Sequence, residues 1–194
     1  MSNTKARCAW AISSNPRYTR YHDKEWGVPL LDERKMFEFI VLESFQAGLS
    51  WQIILNKREN FRSTFDGFDA GKVARYDESN VQHLLSDKGI VRNQAKIRAT
   101  VNNAQQFLQV ASEFGDFTNY LWNFVNGKPI VNRWKDDSEI PAFTPLSDAI
   151  STDMKKRGFK FFGTTVCYAH MQAVGMVNDH IVDCFRHSEC ATQL

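Results

Sequence analysis

A single carboxylate inside an apolar helix is the first residue of this chain whose position could support chemistry. Glu43 lies in a run over residues 36–47 that is apolar on almost every face, which predicts a buried helix. A buried carboxylate is costly unless hydrogen bonds or a ligand complete its surroundings. Gly48 is typical of a helix end, and Ser50 can cap a next helix that opens with Trp51. Glu43 is therefore either a core glutamate bonded to the backbone or the acid of a binding site.

Aromatic side chains with polar tips form a second candidate feature. They lie near Glu43 in the sequence or flank possible metal ligands: Trp10, Tyr18, Tyr21, Trp26 and Trp51. Most aromatic residues are core, but such rings beside a buried acid could form a slot for a flat heterocycle. The sequence has no Gly-x-Ser-x-Gly motif, no phosphate loop and no lysine within an apolar helix, so the usual nucleophile patterns are missing.

Two cysteines and two histidines near the chain ends could bind a metal. His180 and Cys184 are four residues apart, so on a helical turn they would face the same way. With Cys8 and His22 they give two sulfurs and two imidazoles, a tetrahedral zinc set. The spacing of Cys8 and His22 is not that of a zinc finger, so spacing alone leaves the metal site open. Cys167 falls within an apolar helix and is predicted to be core.

A short turn over residues 87–92 is predicted to join two helices into a hairpin. Backbone N–H groups at the start of the second helix attract phosphate. Lys88, Arg92 and Lys96 surround Gly89, as expected for contact with a nucleic-acid backbone without base reading. An ordinary helix connection with solvated charges is the alternative.

Helical periodicity recurs along the chain and strand patterning is nearly absent, which predicts an all-α fold. Asp32, Asp69, Asp77 and Thr144 are predicted helix caps. Residues 128–145 form the only long irregular segment, and loops of this length are either functional or mobile.

Composition narrows the class of protein. The chain has 194 residues, 43% hydrophobic and 24% charged, with a net charge of +2. This profile is typical of a globular domain and argues against binding by bulk positive charge. No apolar run approaches the ~20 residues of a membrane span. With four scattered cysteines, no signal-peptide pattern and enough chain for a core, we expect a reducing cytoplasm and no membrane partner.

A series of motifs resembles one family. The series runs in order from Cys8 to Cys184: Cys8-Ala9-Trp10, Tyr18-x-x-Tyr21-His22-Asp23-x-Glu25-Trp26-Gly27-Val28-Pro29, Leu42-Glu43, Gln46-Ala47-Gly48-Leu49-Ser50-Trp51, Gly89-Ile90-Val91-Arg92, KKRGFKFFGTT at 155–165, and Asn178-Asp179-His180. With these motifs in this order, the chain resembles the bacterial 3-methyladenine DNA glycosylase I family of the helix-hairpin-helix superfamily. The series is far more specific than any one of its members.

The resemblance implies a role for each candidate residue. Glu43 would read the methylated base in a pocket that it lines with four aromatic residues: Trp10, Tyr18, Tyr21 and Trp51. The catalytic residues would be Glu43, Tyr21 and Trp51. One structural zinc would be held by four ligands: Cys8, His22, His180 and Cys184. The hairpin at Gly89 would grip the DNA backbone, and Gly48 and Leu49 would lie at the gap left by the extruded base. Phe45 departs from the polar residue expected there, which could alter the pocket wall.

The resemblance also implies the activity: a monofunctional glycosylase that excises 3-methyladenine from double-stranded DNA, releasing the free base and leaving an abasic site. We expect a monomer with two helical lobes, a zinc-bound lobe of about residues 1–35 and 145–194 and a helix-hairpin-helix lobe of about 36–144. Two alternatives stay open at this stage. One is a non-catalytic helix-hairpin-helix DNA-binding module, and the other is a sugar glycosidase with Glu25 and Glu43 as its carboxylate pair.

Overall fold

The computed structural model describes residues 5–191, and this part of the chain is mostly helical. It contains ten α-helices: α1 (Pro16–Lys24), α2 (Glu33–Gln46), α3 (Trp51–Thr64), α4 (Ala70–Val73), α5 (Glu78–Ser86), α6 (Gln94–Phe114), α7 (Phe117–Asn123), α8 (Pro145–Lys156), α9 (Thr164–Ala173) and α10 (Phe185–Ala191). Four of the five caps predicted from the sequence are confirmed, since their side chains accept a hydrogen bond from the first turn of a helix: Asp32, Asp69, Asp77 and Thr144.

Two short strands modify the predicted all-α fold. Strand β1 (Ile130–Val131) pairs in parallel with β2 (Val177–Asn178). Each strand has two residues, too few to produce an alternating pattern in the sequence. The pairing ties the long segment between α7 and α8 to the chain that follows α9. This segment also contains a 3₁₀ turn, Asp137–Glu139.

Helix α2 lies at the centre of the core. Residues 36–45 are all buried, including Glu38 and Glu43, and α2 packs against α3, α6 and α9. Its chain leaves the helix at Ala47, and Gly48 follows with φ of +80°, a left-handed conformation that favours glycine. Ser50 takes the cap position of α3 but makes no side-chain capping hydrogen bond.

The predicted hairpin is formed by α5 and α6. Asn93 caps α6 by accepting a hydrogen bond from the Lys96 backbone N–H at 3.1 Å. A Cβ at Gly89 would lie 2.9 Å from the Asp87 Oδ1 and 3.0 Å from the Asn60 Nδ2. The close packing of the turn on α3 therefore favours a glycine at this position.

The two ends of the described chain meet on one side of the molecule. The Phe185 N–H donates to the Ala6 carbonyl at 3.0 Å, and the Leu30 N–H donates to the Val174 carbonyl at 3.0 Å. His180 and Cys184 lie in an irregular turn before α10, which corrects the helical turn assumed from their spacing. No helix among residues 5–191 is long and apolar enough to cross a membrane.

Candidate metal centre and aromatic pocket

Four buried side chains from the two chain ends form a cluster, here called the Cys/His cluster: Cys8, His22, His180 and Cys184. Their donor atoms all lie within 4.8 Å of one another. The Cys184 Sγ is 3.5 Å from the His22 Nε2 and 3.5 Å from the His180 Nδ1, and the Cys8 Sγ is 3.7 Å from that same Nδ1. The two sulfurs and two nitrogens could hold one metal ion.

Neighbouring groups orient both imidazoles of the cluster. The His22 Nδ1 is 2.8 Å from the Asp23 Oδ1, which leaves the His22 Nε2 toward the sulfurs. Arg7 in turn bonds both oxygens of Asp23. The His180 Nε2 lies 3.0 Å from the Trp26 carbonyl. A carboxylate or carbonyl behind each imidazole is the usual arrangement around metal-binding histidines.

The two sulfurs are prepared unequally for ionisation. A hydrogen bond with Cys8 is the largest influence that lowers the pKa of the Cys184 thiol. Bonds with His180 and His22 lower that pKa further, against the effect of burial. The same bond with Cys184, together with burial, raises the pKa of Cys8. The cluster therefore favours one thiolate, whose charge a bound cation would balance.

An aromatic pocket of about 370 Å³ lies next to the cluster. Its walls come from α1, α2, α3, α9, the segment before α1, the segment between α1 and α2, and the segment between α7 and α8. The lining residues are Trp10, Tyr18, Tyr21, Trp26, Glu43, Gln46, Trp51, Asp137, Ile140, Ala169 and Gln172. The structure thus brings together the five residues predicted to form a base pocket: Trp10, Tyr18, Tyr21, Glu43 and Trp51. A volume of this size suits one flat heterocycle.

The rings of the pocket are fixed by edge and tilted contacts. Trp10 meets Tyr18 at a centroid distance of 5.4 Å and 83°, and Tyr21 meets Trp51 at 5.3 Å and 56°. Trp10 also packs edge-on against His22 at 5.2 Å. The Cys/His cluster therefore supports one wall of the pocket.

Glu43 supplies the pocket with an unpartnered acid. Its side chain is 3% exposed, and its Oε2 has no hydrogen-bond partner. Burial raises the pKa of Glu43 to about 8. Burial, and then the charge of Glu43, also raises the pKa of Tyr21 well above its usual range. The Trp51 Nε1 is likewise buried without a partner. The pocket therefore presents polar atoms that only a ligand or water can satisfy.

Phe45 does not alter the pocket wall. Its side chain is fully buried and packs against Phe61 at a centroid distance of 4.8 Å, whereas its neighbour Gln46 lines the pocket. This corrects the expectation that the departure at Phe45 would change the pocket. Glu25 also lies elsewhere, in an ion pair with Arg58 at 2.7 Å, which argues against the sugar glycosidase alternative.

The residues expected to contact DNA form an exposed edge, with one exception. Gly48, Leu49, Lys88 and Arg92 are exposed. The Gly89 N–H donates to the Asp87 Oδ1 at 2.7 Å, so this N–H is already bonded within the turn. Lys57 holds the turn to α3 by donating to the carbonyls of Lys88 and Gly89, each at 3.1 Å.

Lys96 is the exception, because its side chain is only 7% exposed. Its ammonium donates to the Phe45 carbonyl at 2.9 Å and the Ala47 carbonyl at 2.6 Å, which are at the end of α2. A buried ammonium held by two carbonyls is not available to a surface phosphate. This corrects the expected phosphate contact. Lys96 instead joins the first turn of α6 to the helix that carries Glu43.

Several pocket residues were missed by sequence reasoning: Gln46, Asp137, Ile140, Ala169 and Gln172. Gln46 belongs to a motif that resembles the glycosylase family, so a signal existed. Ala169 and Gln172 follow helical spacing on α9, but nothing in their types indicates a site. Asp137 and Ile140 lie in the irregular segment, whose course over the pocket depends on β1 and β2.

Comparisons of sequence and of structure with known proteins both find methyladenine glycosylases. Residues 10–187 match the profile of the family described as methyladenine glycosylase. The chain is 51% identical over 178 residues to DNA-3-methyladenine glycosylase 1 of Escherichia coli (strain K12), covering 92% of this chain and 95% of that protein.

Two solved structures are similar over nearly their whole length. One is the crystal structure of 3-methyladenine DNA glycosylase I (TAG), with a TM-score of 0.89 and 49% identity, covering 93% of this chain and 98% of that one. The other is a variant of 3-methyladenine DNA glycosylase I in complex with 3-methyladenine, with a TM-score of 0.88 and 34% identity, covering 91% of this chain and 95% of that one.

Proposed function

The chain belongs to the methyladenine glycosylase family, and from that premise we propose that it excises 3-methyladenine from alkylated DNA as a monofunctional glycosylase. The observation that carries the proposal is the aromatic pocket: Glu43 leaves a buried carboxyl oxygen without a partner among five aromatic side chains. The similar structure that holds 3-methyladenine supports the choice of base. The reaction hydrolyses the N-glycosidic bond and leaves an abasic site.

The base must leave the duplex before it can enter the pocket, and unstacking costs a few kcal/mol. Methylation at N3 makes adenine cationic while it is attached to the sugar. A cationic base leaves as a neutral molecule, so its departure needs no proton from a general acid. Aromatic faces attract the cation. The enzyme therefore contributes selection and positioning more than proton transfer.

Glu43 selects the base through its charge and its acceptor oxygens. With a pKa of about 8, the Glu43 carboxyl group is largely protonated at neutral pH when no nucleobase occupies the pocket. A cationic base favours the carboxylate by Coulomb attraction in a site shielded from water. Undamaged adenine lacks this charge. Water then attacks the sugar carbon, and because none of the residues that line the pocket is a lysine, we expect no covalent lysine intermediate and no strand cleavage.

We further propose that the Cys/His cluster holds one structural zinc. Zinc–sulfur bonds of about 2.3 Å and zinc–nitrogen bonds of about 2.0–2.1 Å place tetrahedral ligands about 3.3–3.8 Å apart. Three of the four sulfur–nitrogen distances, at 3.5–3.7 Å, lie in this range, and all the donor atoms lie within 4.8 Å of one another. Four protein ligands leave no open position, so the metal would join the chain ends and take no part in the reaction.

The two-lobe helix-hairpin-helix architecture is part of the same proposal. Trp10 and Tyr21 come from the terminal lobe, and Glu43 and Trp51 come from the lobe of about residues 36–144, so the pocket lies between them. The exposed residues Gly48, Leu49, Lys88 and Arg92, with Gly89 shaping the turn, would face double-stranded DNA. We expect a monomer in the cytoplasm.

The DNA contacts are tested by the salt dependence of duplex binding. Replacing Arg92 by Gln should weaken binding to all sequences alike and reduce the slope of log K against log salt by about 1. The exposed Arg98, on α6, offers a matched charge change. Binding that is sequence-selective or insensitive to salt would refute the hairpin assignment.

One assay tests the activity against its alternatives. Duplex DNA methylated at N3 of adenine is incubated with the protein, and released base and abasic sites are both quantified, with a polysaccharide panel as the negative control. We expect free 3-methyladenine and an equal amount of abasic sites without strand breaks. Binding without release would leave a DNA-binding module, and sugar release would leave a glycosidase; either outcome would overturn the proposal.

A further inference from the structure

The segment between α7 and α8 contributes a second acid to the aromatic pocket. Its course is fixed by the pairing of β1 with β2 and by the Trp134 Nε1, which donates to the Asp179 Oδ1 at 2.7 Å. The 3₁₀ turn Asp137–Glu139 follows, and Asp137 and Ile140 line the pocket. The irregular segment is therefore a wall of the site.

The carboxylate of Asp137 uses its two oxygens differently. Its Oδ2 accepts a hydrogen bond from the Trp10 backbone N–H at 3.0 Å, which fixes the carboxylate to the aromatic wall beside the Cys/His cluster. Its Oδ1 is buried and has no hydrogen-bond partner. One oxygen is thus a structural acceptor, and the other is an acceptor that still lacks a donor.

Three residues that line this pocket each have a buried polar atom without a partner. Among residues 5–191, seven buried side-chain atoms lack a hydrogen-bond partner, and three belong to pocket residues: the Glu43 Oε2, the Trp51 Nε1 and the Asp137 Oδ1. Buried acceptors without donors are costly. Two acidic side chains with free oxygens in one pocket favour a ligand that brings positive charge and N–H donors.

We propose that Asp137 is a second base-selecting residue, which accepts a hydrogen bond from cationic alkylated purines and disfavours neutral bases. The inference rests on the proposed function and deepens it, because it adds a second negative charge to the selection made by Glu43. A charge-assisted hydrogen bond is about twice as strong as a neutral one. A base that carries a positive charge therefore gains more from Asp137 than a neutral base of the same shape.

The test compares two ligands of equal shape and different charge. One is 3,9-dimethyladeninium, a permanent cation, and the other is 3,9-dimethyl-3-deazaadenine, which is neutral when both titrations are run at a pH above the pKa of its N1. Asp137→Asn keeps an oxygen for the Trp10 N–H and removes the charge. We expect it to weaken binding of the cation about tenfold and of the neutral ligand less than about twofold. Equal losses for both ligands, or no loss, would overturn the proposal.

Asp136→Asn is the matched control, because Asp136 is exposed and its Oδ1 caps the same 3₁₀ turn outside the pocket. This variant makes the same charge change one residue away and should leave both affinities unchanged. Metal content and thermal midpoint should be unchanged in Asp137→Asn. A fall in either, with equal losses for both ligands, would assign Asp137 to structure and overturn the inference.

Single-turnover release of 3-methyladenine from methylated duplex distinguishes failure of the role of Asp137 from failure of the proposed function. We expect Asp137→Asn to release the base several-fold more slowly than wild type, and Asp136→Asn to match wild type. Wild-type protein that neither binds the cation nor releases the base would overturn both proposals. Normal wild-type activity, matched by Asp137→Asn in release and in ligand selectivity, would overturn this inference alone.

Discussion

The Cys/His cluster and the aromatic pocket are neighbouring buried polar regions, yet they satisfy their polar atoms in opposite ways. In the cluster, Cys8, His22, His180 and Cys184 contact one another, and Asp23 and the Trp26 carbonyl take the outer imidazole nitrogens. In the pocket, three buried polar atoms have no partner. The polar atoms of the cluster lack only a metal ion, whereas three polar atoms of the pocket lack partners until a nucleobase binds.

The difference separates stability from binding. A buried polar group with partners stabilises the fold, whereas one without partners costs free energy that a ligand later recovers. The two regions also share a wall, because Trp10 packs edge-on against His22 while its backbone N–H bonds Asp137. The Cys/His cluster therefore helps to position the wall of the aromatic pocket. Removing a ligand of the cluster should therefore lower stability, whereas removing the buried charge of Glu43 should raise it.

The largest expected effect is in the Cys/His cluster. Cys8→Ser removes a metal ligand, so we expect less than one zinc per chain and a loss of roughly 3–4 kcal/mol of metal-coupled stability, which lowers the thermal midpoint by about 10 °C. Elemental analysis measures the zinc content, and thermal unfolding measures the midpoint. Cys167→Ser is the control, because this buried cysteine lies outside the cluster. Wild-type protein without zinc, or an unchanged midpoint in Cys8→Ser, would refute the structural metal.

The pocket should show the opposite sign in its stability. The pKa of Glu43 is raised from 4.5 to about 8 in the folded chain, so the unfolded chain loses this proton first as pH rises. Wild type therefore loses stability between pH 4.5 and about 8. Glu43→Gln cannot titrate, and we expect it to be about 2–4 kcal/mol more stable than wild type at pH 8 and nearly equal at pH 4.5.

Denaturant unfolding of both proteins at the two pH values checks this difference, since all other titrating groups cancel in the comparison. The exposed Glu59, on α3, gives a matched Glu→Gln control that should be neutral at both pH values. A Glu43→Gln variant that is less stable than wild type at pH 8 would show that the carboxylate has partners, and the contrast between the two regions would be lost.

The helices around both regions could be predicted because their signals are local. Asp32 and Gly48 mark the ends of α2 within the sequence itself, and the apolar run between them predicts burial. The course of the segment that carries Asp137 could not be predicted, since it depends on pairing with residues far along the chain. The burial of Lys96 could not be predicted for a related reason. A lysine beside a hairpin turn is expected to be exposed, and only the fold shows that the end of α2 packs against it.

A third expected effect is on function. Glu43→Gln keeps the shape of the side chain, removes the charge and places a donor where an acceptor is wanted. We expect weaker binding of free 3-methyladenine and release from DNA slowed by roughly 30-fold, about 2 kcal/mol, while duplex binding stays near normal. Titration of the free base and single-turnover release measure the pair. Unchanged affinity for the free base with lost catalysis would instead indicate a general acid.

The smallest expected effect tests whether the hairpin and the pocket are joined by Lys96. Its ammonium donates to the Phe45 and Ala47 carbonyls at the negative end of α2, so Lys96→Met keeps the buried chain and leaves these carbonyls without a donor. We expect release slowed about fivefold, about 1 kcal/mol, with an unchanged salt slope of duplex binding. Lys96→Arg should restore part of the rate, and the exposed Lys88 gives the control that changes the slope instead. A reduced salt slope in Lys96→Met would return this lysine to the DNA surface, because phosphate contacts release counterions and the bond to α2 releases none.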